Sequence, residues 1–144
     1  MTKQAALQKE FDFIREAFFP RWDKERRWGV RYVHDLGGVG HCNLTIKMIN
    51  VHESCQDMPS VLVSLVLIHE ICHAVTRKRH GPMWAARMAT VSRRALCAGR
   101  KVLCDEIRRD IASAMSDEPE EVDSLLHDWL DEHPEIQYGD LMRP

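Results

Sequence analysis

Three residues near the middle of the chain have the types and spacing of a metal site with its own base. His69, Glu70 and His73 form the pattern H-E-x-x-H. On an α-helix four residues advance by about 400°, so both imidazoles lie on one face and can bind one Zn²⁺ at about 2.0–2.1 Å. Glu70 lies about 100° around the helix, where it can take a proton from a zinc-activated water that attacks a carbonyl group. The pattern therefore predicts hydrolytic zinc chemistry.

The surroundings of the motif strengthen this interpretation. Val61–Ile68 is apolar except for Ser64, so the segment predicts a buried helix. Unpaired imidazole and carboxylate groups are costly to bury, so these polar residues need partners. A hydrogen-bonded His–Glu cluster without metal would also satisfy them, and this alternative stays open. We favour the metal site because the motif and the helix agree.

A third ligand is needed, because a catalytic zinc has three protein ligands and one open position. His80 follows His73 by seven residues, where Gly81-Pro82 begins a new helix and the chain can fold back. The alternative is an exposed loop histidine in the basic stretch Arg77–His80. Cys72, inside the motif, is expected to be a small buried side chain rather than a ligand.

The residues His-Glu-Ile-Cys-His-Ala-Val-Thr at 69–76, followed by His-Gly-Pro-Met-Trp at 80–84 and Met88, resemble the SprT-like zinc metallopeptidases, which include the Spartan proteases. The family pattern is H-E-x-x-H-A, a variable insert, then H-G-x-x-[FW]. The resemblance implies that His80 is the third ligand and that Trp84 packs beneath the site. It also implies an N-terminal helix and a small sheet ahead of the active-site helix. Because Spartan proteases cut proteins crosslinked to DNA, it further implies DNA-associated substrates.

The remaining patterns predict an α+β fold, a zincin-like minimal metallopeptidase domain. A small antiparallel sheet precedes the H-E-x-x-H helix, a second helix carries the third histidine, and further helices follow. The first predicted helix covers 2–19, with the apolar stripe Leu7, Phe11, Ile14 and Phe18. Segments 28–34 and 42–51 predict a β-hairpin, with a short strand near 49–52. Four further helices are predicted over 61–79, 81–98, 100–115 and 118–132.

Length and composition predict one domain over 1–144, with a catalytic core over 1–99 and a helical, acidic extension over 100–144. The five cysteines include no C-x-x-C pair, which excludes a zinc ribbon within these residues and favours a reducing compartment. We find no signal-peptide pattern and no apolar run long enough for a membrane. We therefore expect a cytoplasmic monomer that does not bind membranes.

Charge is distributed unevenly. Residues 77–104 contain eight basic and no acidic residues, whereas 105–144 contain thirteen acidic and three basic residues. The basic block over Arg77–Lys101 can contact the DNA backbone without sequence preference. We favour the alternative that this block is a solvated helix face or a surface that docks the acidic helices. Its arginines are not interleaved with aromatic residues, which base stacking would need.

Two functions follow as hypotheses. The first is a zinc-dependent endopeptidase that acts on protein or peptide substrates, with Glu70 as general base and His69, His73 and His80 as ligands. The second is a nucleic-acid- or protein-binding module with structural zinc. Structural sites are closed by four ligands, and Cys72 is the only nearby candidate for the fourth.

Overall fold

The computed structural model describes residues 1–116, 129, 131 and 132. Residues 1–116 form four α-helices and a three-stranded mixed sheet, which confirms the α+β class. The elements are α1 (Lys3–Phe18), β1 (Gly29–Val33), β2 (Gly40–Asn43), β3 (Met48–His52), a 3₁₀ turn (Glu53–Asp57), α2 (Ser60–Thr76), α3 (Pro82–Cys97) and α4 (Lys101–Met115).

Helix α1 forms as the apolar periodicity predicts. The hydroxyl of Thr2 accepts a hydrogen bond from the backbone N–H of Ala5 at 3.0 Å and so caps the first turn. The helix packs against β1 and α2. All four residues of its predicted stripe are buried in the core: Leu7, Phe11, Ile14 and Phe18.

Helix α2 is the central element of the molecule. It is apolar on nearly every side and contacts the sheet and all three other helices. It ends at Thr76, three residues before the predicted boundary at 79, because Arg77 adopts the left-handed conformation with φ 56° and ψ 30°. The N–H of Arg77 donates to the carbonyl of His73 at 2.8 Å, which closes the helix.

The strand pairing differs from the prediction. The strand order is β1-β3-β2, with β1 parallel to β3 and β2 antiparallel to β3. The sheet is therefore mixed rather than antiparallel, and the predicted hairpin between 28–34 and 42–51 is wrong. The observed hairpin joins β2 to β3, while β1 lies on the other side of β3.

A turn inside the predicted second strand explains this difference. The side-chain oxygen of Asn43 accepts hydrogen bonds from the backbone N–H groups of Thr45 and Ile46, at 3.0 and 3.2 Å. Lys47 follows with φ 54°, in the left-handed region. Local hydrogen bonding of this kind competes with strand pairing. The alternating segment 42–51 is therefore split, and its halves pair with each other.

Helices α3 and α4 pack against α2 and against each other. All five cysteines are free. The predicted helix over 118–132 lies largely outside the described residues, although Trp129, Asp131 and Glu132 are helical and Trp129 is buried. In the part of the chain that the structure describes, no helix has the length and apolar character that crossing a membrane requires.

Candidate metal centre

The structure brings His69, His73 and His80 together. One imidazole nitrogen from each lies within 4.8 Å of the others, and the Nε2 atoms of His69 and His80 are 2.9 Å apart. His69 and His73 lie on successive turns of α2. The predicted fold placed His80 in the second helix. It lies instead in the turn between α2 and α3.

His69 is oriented by a carboxylate from α4. Its Nδ1 lies 2.7 Å from Oδ2 of Asp110, and both side chains are fully buried. With Nδ1 as the donor, Nε2 carries a lone pair that faces the other two rings. Burial acts to lower the pKa of His69, but the charge and hydrogen bond of Asp110 outweigh it, so the pKa is raised from its ordinary value.

His73 is oriented by the backbone of the turn. Its Nδ1 donates to the carbonyl oxygen of Lys78 at 2.7 Å, a contact that the left-handed conformation of Arg77 brings about. Burial, followed by the charge of His69, lowers the pKa of His73 to about 4, and the same causes lower the pKa of His80 to about 4. Both rings are thus neutral near pH 7, which is the form that binds metals.

The buried polar atoms of the cluster fit a cation. Nε2 of His73 is buried and has no hydrogen-bond partner. A buried polar atom without a partner lowers the free energy of unfolding by about 1–3 kcal/mol. A metal ion among the three rings would give this nitrogen a partner. The cluster could therefore hold a metal ion. Imidazole nitrogens suit zinc, copper, iron and nickel.

No fourth ligand completes the cluster among the described residues. The group of His, Cys, Asp and Glu side chains close enough to share an ion consists of the three histidines. Cys72 is buried in the apolar core and lies outside this group, as expected. Burial raises the pKa of its thiol well above the ordinary value. Asp110 contacts the opposite nitrogen of His69.

Trp84 forms the floor beneath the cluster, where the family resemblance placed it. Its ring is fully buried and stacks on His73 at an interplanar angle of 19°. Its indole N–H also donates to the carbonyl of His69 at 3.4 Å. Both rings on α2 are therefore held from below by one residue of α3.

Glu70 is buried beside the cluster and faces the edge strand β2. A Cβ at Gly40 would lie 3.1 Å from Oε2 of Glu70 and 2.9 Å from Val66. Only glycine therefore lets β2 approach this closely. Burial raises the pKa of Glu70 to about 7, while His69 acts to lower it and Asp110 to raise it. A carboxylate with a pKa near neutrality suits proton transfer.

A cleft of about 390 Å³ leads to Glu70 and His73. One wall comes from the glycine-rich loop and β2, and the other from the turn after α2. Ligand pockets typically have such volumes, and apolar residues line one side of this cleft. Besides Glu70 and His73, the lining residues are Leu36, Gly37, Gly38, Gly40, His41, Cys42, Leu44, Arg77, Lys78 and Arg79.

The buried H-E-x-x-H helix and the third histidine from the following turn form a cluster that could hold a metal ion, beside a cleft that Glu70 and His73 line. The model of the SprT-like family matches residues 7–106. Since this is more than half of the sequence, the chain belongs to the SprT-like family, which agrees with the resemblance of the motifs. Comparison with curated proteins and with solved structures gives no significant match.

Sequence reasoning missed Asp110, which lies beyond the family match. We expected the acidic residues after position 100 to form a surface, but Glu106 and Asp110 are both 2% exposed. The sequence held a signal for this burial. Asp110 falls seven residues after Leu103 and three after Ile107, on the apolar stripe of α4.

Proposed function

We propose that this protein is a zinc-dependent metalloendopeptidase. His69, His73 and His80 are the ligands in this proposal, and Glu70 is the general base. The observation that carries it is the cluster of three imidazoles, one of which lines a cleft together with the buried carboxylate of Glu70. Membership of the SprT-like family supports the same chemistry.

Each side chain then has a definite task. A bound Zn²⁺ supplies Lewis acidity, which polarises a carbonyl group and makes water acidic enough to lose a proton near pH 7. Glu70 accepts the proton of the attacking water and returns it to the leaving amine. Asp110 and the carbonyl of Lys78 hold His69 and His73 by Nδ1, which would leave Nε2 of each ring free to bind the ion.

The cleft also supports a peptide as the substrate. β2 is an edge strand of the sheet, and Gly40, His41 and Cys42 line the cleft. An extended peptide can add to such an edge through backbone hydrogen bonds, independently of its side chains. A peptide bound there would pass Glu70, because Gly40 lies directly against that carboxylate.

The test is the variant Glu70→Gln, which keeps the size of the side chain and removes the base. We expect it to retain zinc, measured by elemental analysis, and to lose cleavage of an unfolded protein substrate. Glu25→Gln is the matched control, because Glu25 is exposed on the surface. Unchanged cleavage by Glu70→Gln would contradict the mechanism.

Metal dependence needs its own experiment. Stripping the protein with a chelator should abolish cleavage, and zinc should restore it. A protein that cleaves equally well after complete removal of metal would exclude the proposal. A tightly bound zinc with no cleavage of any substrate would favour the non-catalytic binding module instead. That module has less support, because no fourth ligand closes the cluster within the described residues.

DNA binding through Arg77–Lys101, and hence action on DNA-associated proteins, is a separate proposal that the charge of this block supports. Seven of the eight basic residues of the block are spread over three different surfaces. The first three line the cleft, Arg87 and Arg94 line a groove beside Trp22, and Arg100 and Lys101 line another beside Glu10. A DNA mobility shift that weakens as salt rises would support this proposal, and no shift at low salt would exclude it.

A further inference from the structure

The wall of the cleft formed by the turn after α2 carries three consecutive cations, Arg77, Lys78 and Arg79, which we call the cationic rim. All three residues are exposed and line the cleft. Apart from Glu70, no carboxylate lines the cleft among the residues that the structure describes. The space in front of the proposed catalytic residues is therefore positively charged on one side.

The side chains of the cationic rim have no ion-pair partner within the described part of the chain. Some cations elsewhere in the molecule do. Arg27 pairs with Glu25, Arg100 with Glu10, and Lys101 with Asp105. The rim thus places at a cavity three positive charges that have no ion-pair partner among the residues that the structure describes.

The backbone of the rim is fixed to the histidine cluster. The carbonyl of Lys78 accepts from His73, and His80 lies directly after the rim and contacts His69. The backbone that carries the three charges is therefore held by the same contacts that shape the site.

The first residue of the rim has an unusual conformation. Arg77 is left-handed, with φ 56°, at a helix end where glycine is the residue without a steric penalty. Asp23, Arg26 and Lys47 share this conformation, so the φ angle by itself does not assign Arg77 a use. The cleft supplies one, since Arg77 lines it.

We propose that the cationic rim selects peptide substrates that carry acidic side chains close to the scissile bond. This inference rests on the proposed peptidase function, because the selected group is a residue of its substrate. The opposite wall offers Leu36 and Leu44 to apolar side chains, while the rim offers ion pairs to aspartate or glutamate. Peptide carboxylates fit better than DNA phosphates, because the three charges of the rim line the same cleft as Glu70 and the remaining cations of the block lie elsewhere.

The first experiment measures cleavage-site preference. The full chain is incubated with a mixture of randomised peptides of about twelve residues, long enough at about 3.3 Å per residue to cross the cleft, and the products are sequenced by mass spectrometry. We expect Asp and Glu to be enriched next to the cut by about 1.4- to fivefold per ion pair, the range for exposed pairs. The triple variant R77Q/K78Q/R79Q should lose this enrichment, and R77E/K78E/R79E should replace it with enrichment of Lys and Arg.

A matched control removes the same charge elsewhere. Arg93, Lys101 and Arg108 are exposed and line no part of the cleft. The variant R93Q/K101Q/R108Q should keep the preference of the parent. An identical profile for the parent and for R77Q/K78Q/R79Q, with zinc content and thermal melting unchanged, would overturn the proposal. So would loss of the preference in the control variant alone.

The second experiment separates this proposal from the proposed function. Fluorescence anisotropy with the Glu70→Gln variant measures binding of a labelled peptide with four glutamates and of its glutamine counterpart. The glutamate peptide should bind more tightly than the glutamine peptide, and this difference should disappear when R77Q/K78Q/R79Q is combined with Glu70→Gln. That result would support selection by the cationic rim, even where no peptide is cleaved. Cleavage without any acidic preference leaves the peptidase intact and overturns the rim. Rim-dependent binding of a labelled DNA oligonucleotide, with equal binding of both peptides, would also overturn it and favour phosphate as the ligand.

Discussion

The histidine cluster has two parts that are held in different ways. His69 and His73 belong to a buried helix, and each has its Nδ1 fixed by an acceptor, from Asp110 and from the backbone of Lys78. His80 belongs to a turn and is half-buried, and its hydrogen-bond contact within the described residues is with His69. The helical part thus determines where the site is, whereas the turn determines whether it is complete.

The largest expected effect comes from removing a histidine of the helical part. His69→Ala or His73→Ala should weaken zinc binding by more than the roughly 10–100-fold loss typical of outer-shell changes. His80→Ala should cause a smaller loss, because a water molecule can enter from the open side. Competition with a chromogenic chelator measures all three affinities.

His41→Ala is the control for these variants, because His41 lines the cleft but lies outside the cluster. It should leave zinc affinity unchanged. An unchanged affinity in His80→Ala would contradict the three-histidine site, and so would a loss in His41→Ala as large as in His69→Ala.

The next effect concerns the acceptor behind His69. Asp110→Ala removes the buried carboxylate that orients the ring, so zinc affinity should fall by about 10–100-fold. It also leaves a buried N–H unpaired, which should cost about 1–3 kcal/mol of folding stability. Asp110→Asn keeps an oxygen acceptor and should recover part of the affinity. Zinc competition and urea unfolding measure the two effects.

Asp105→Ala is the matched change on the same helix, since Asp105 pairs with Lys101 near the surface. It should alter neither zinc affinity nor stability by a comparable amount. Equal behaviour of the Asp105 and Asp110 variants would mean that the contact with His69 is not what holds the ring.

A smaller effect tests the contact between α2 and β2. In Gly40→Ala the new methyl group meets Val66 and Glu70 at 2.9–3.1 Å, so the strand or the carboxylate must shift. We expect a stability loss of about 1–3 kcal/mol, the usual cost of overpacking, together with reduced cleavage at unchanged zinc content. Gly37→Ala is the control, because a Cβ there meets nothing within 4 Å. Normal cleavage by Gly40→Ala would mean that the activity of Glu70 does not depend on the close contact with β2.

The same division between helix and turn explains what could be predicted from the sequence. The helical elements and the positions of His69, Glu70 and His73 follow from local periodicity, which a sequence records directly. His80 lies in a turn whose path depends on the conformation of Arg77, and spacing alone left its role open. The family motif was needed to place it.

The remaining errors concern contacts between distant segments. The pairing of β1 with β3 depends on a turn inside segment 42–51, which an alternating pattern conceals. Asp110 contacts His69 from 41 residues away. Its acidic character favoured a surface position, although its place on the apolar stripe of α4 indicated burial. For the burial of Asp110, the type of side chain was therefore a poorer guide than its place in the helical periodicity.

The smallest expected effect concerns the turn itself. A left-handed conformation costs a non-glycine residue about 1–2 kcal/mol, and glycine loses part of that gain through the entropy of the unfolded chain. Arg77→Gly should therefore stabilise the fold by about 1 kcal/mol, or about 2–4 °C in melting temperature. Arg77→Ala removes the same charge but keeps the strain, so it should not stabilise. Suppose that Arg77→Gly melts at a higher temperature than Arg77→Ala and that both variants lose the preference for acidic peptides. The side chain of Arg77 then contributes to substrate recognition, and its left-handed conformation lowers the stability of the fold. Equal melting temperatures for the two variants would remove strain from that argument and leave charge as its only support.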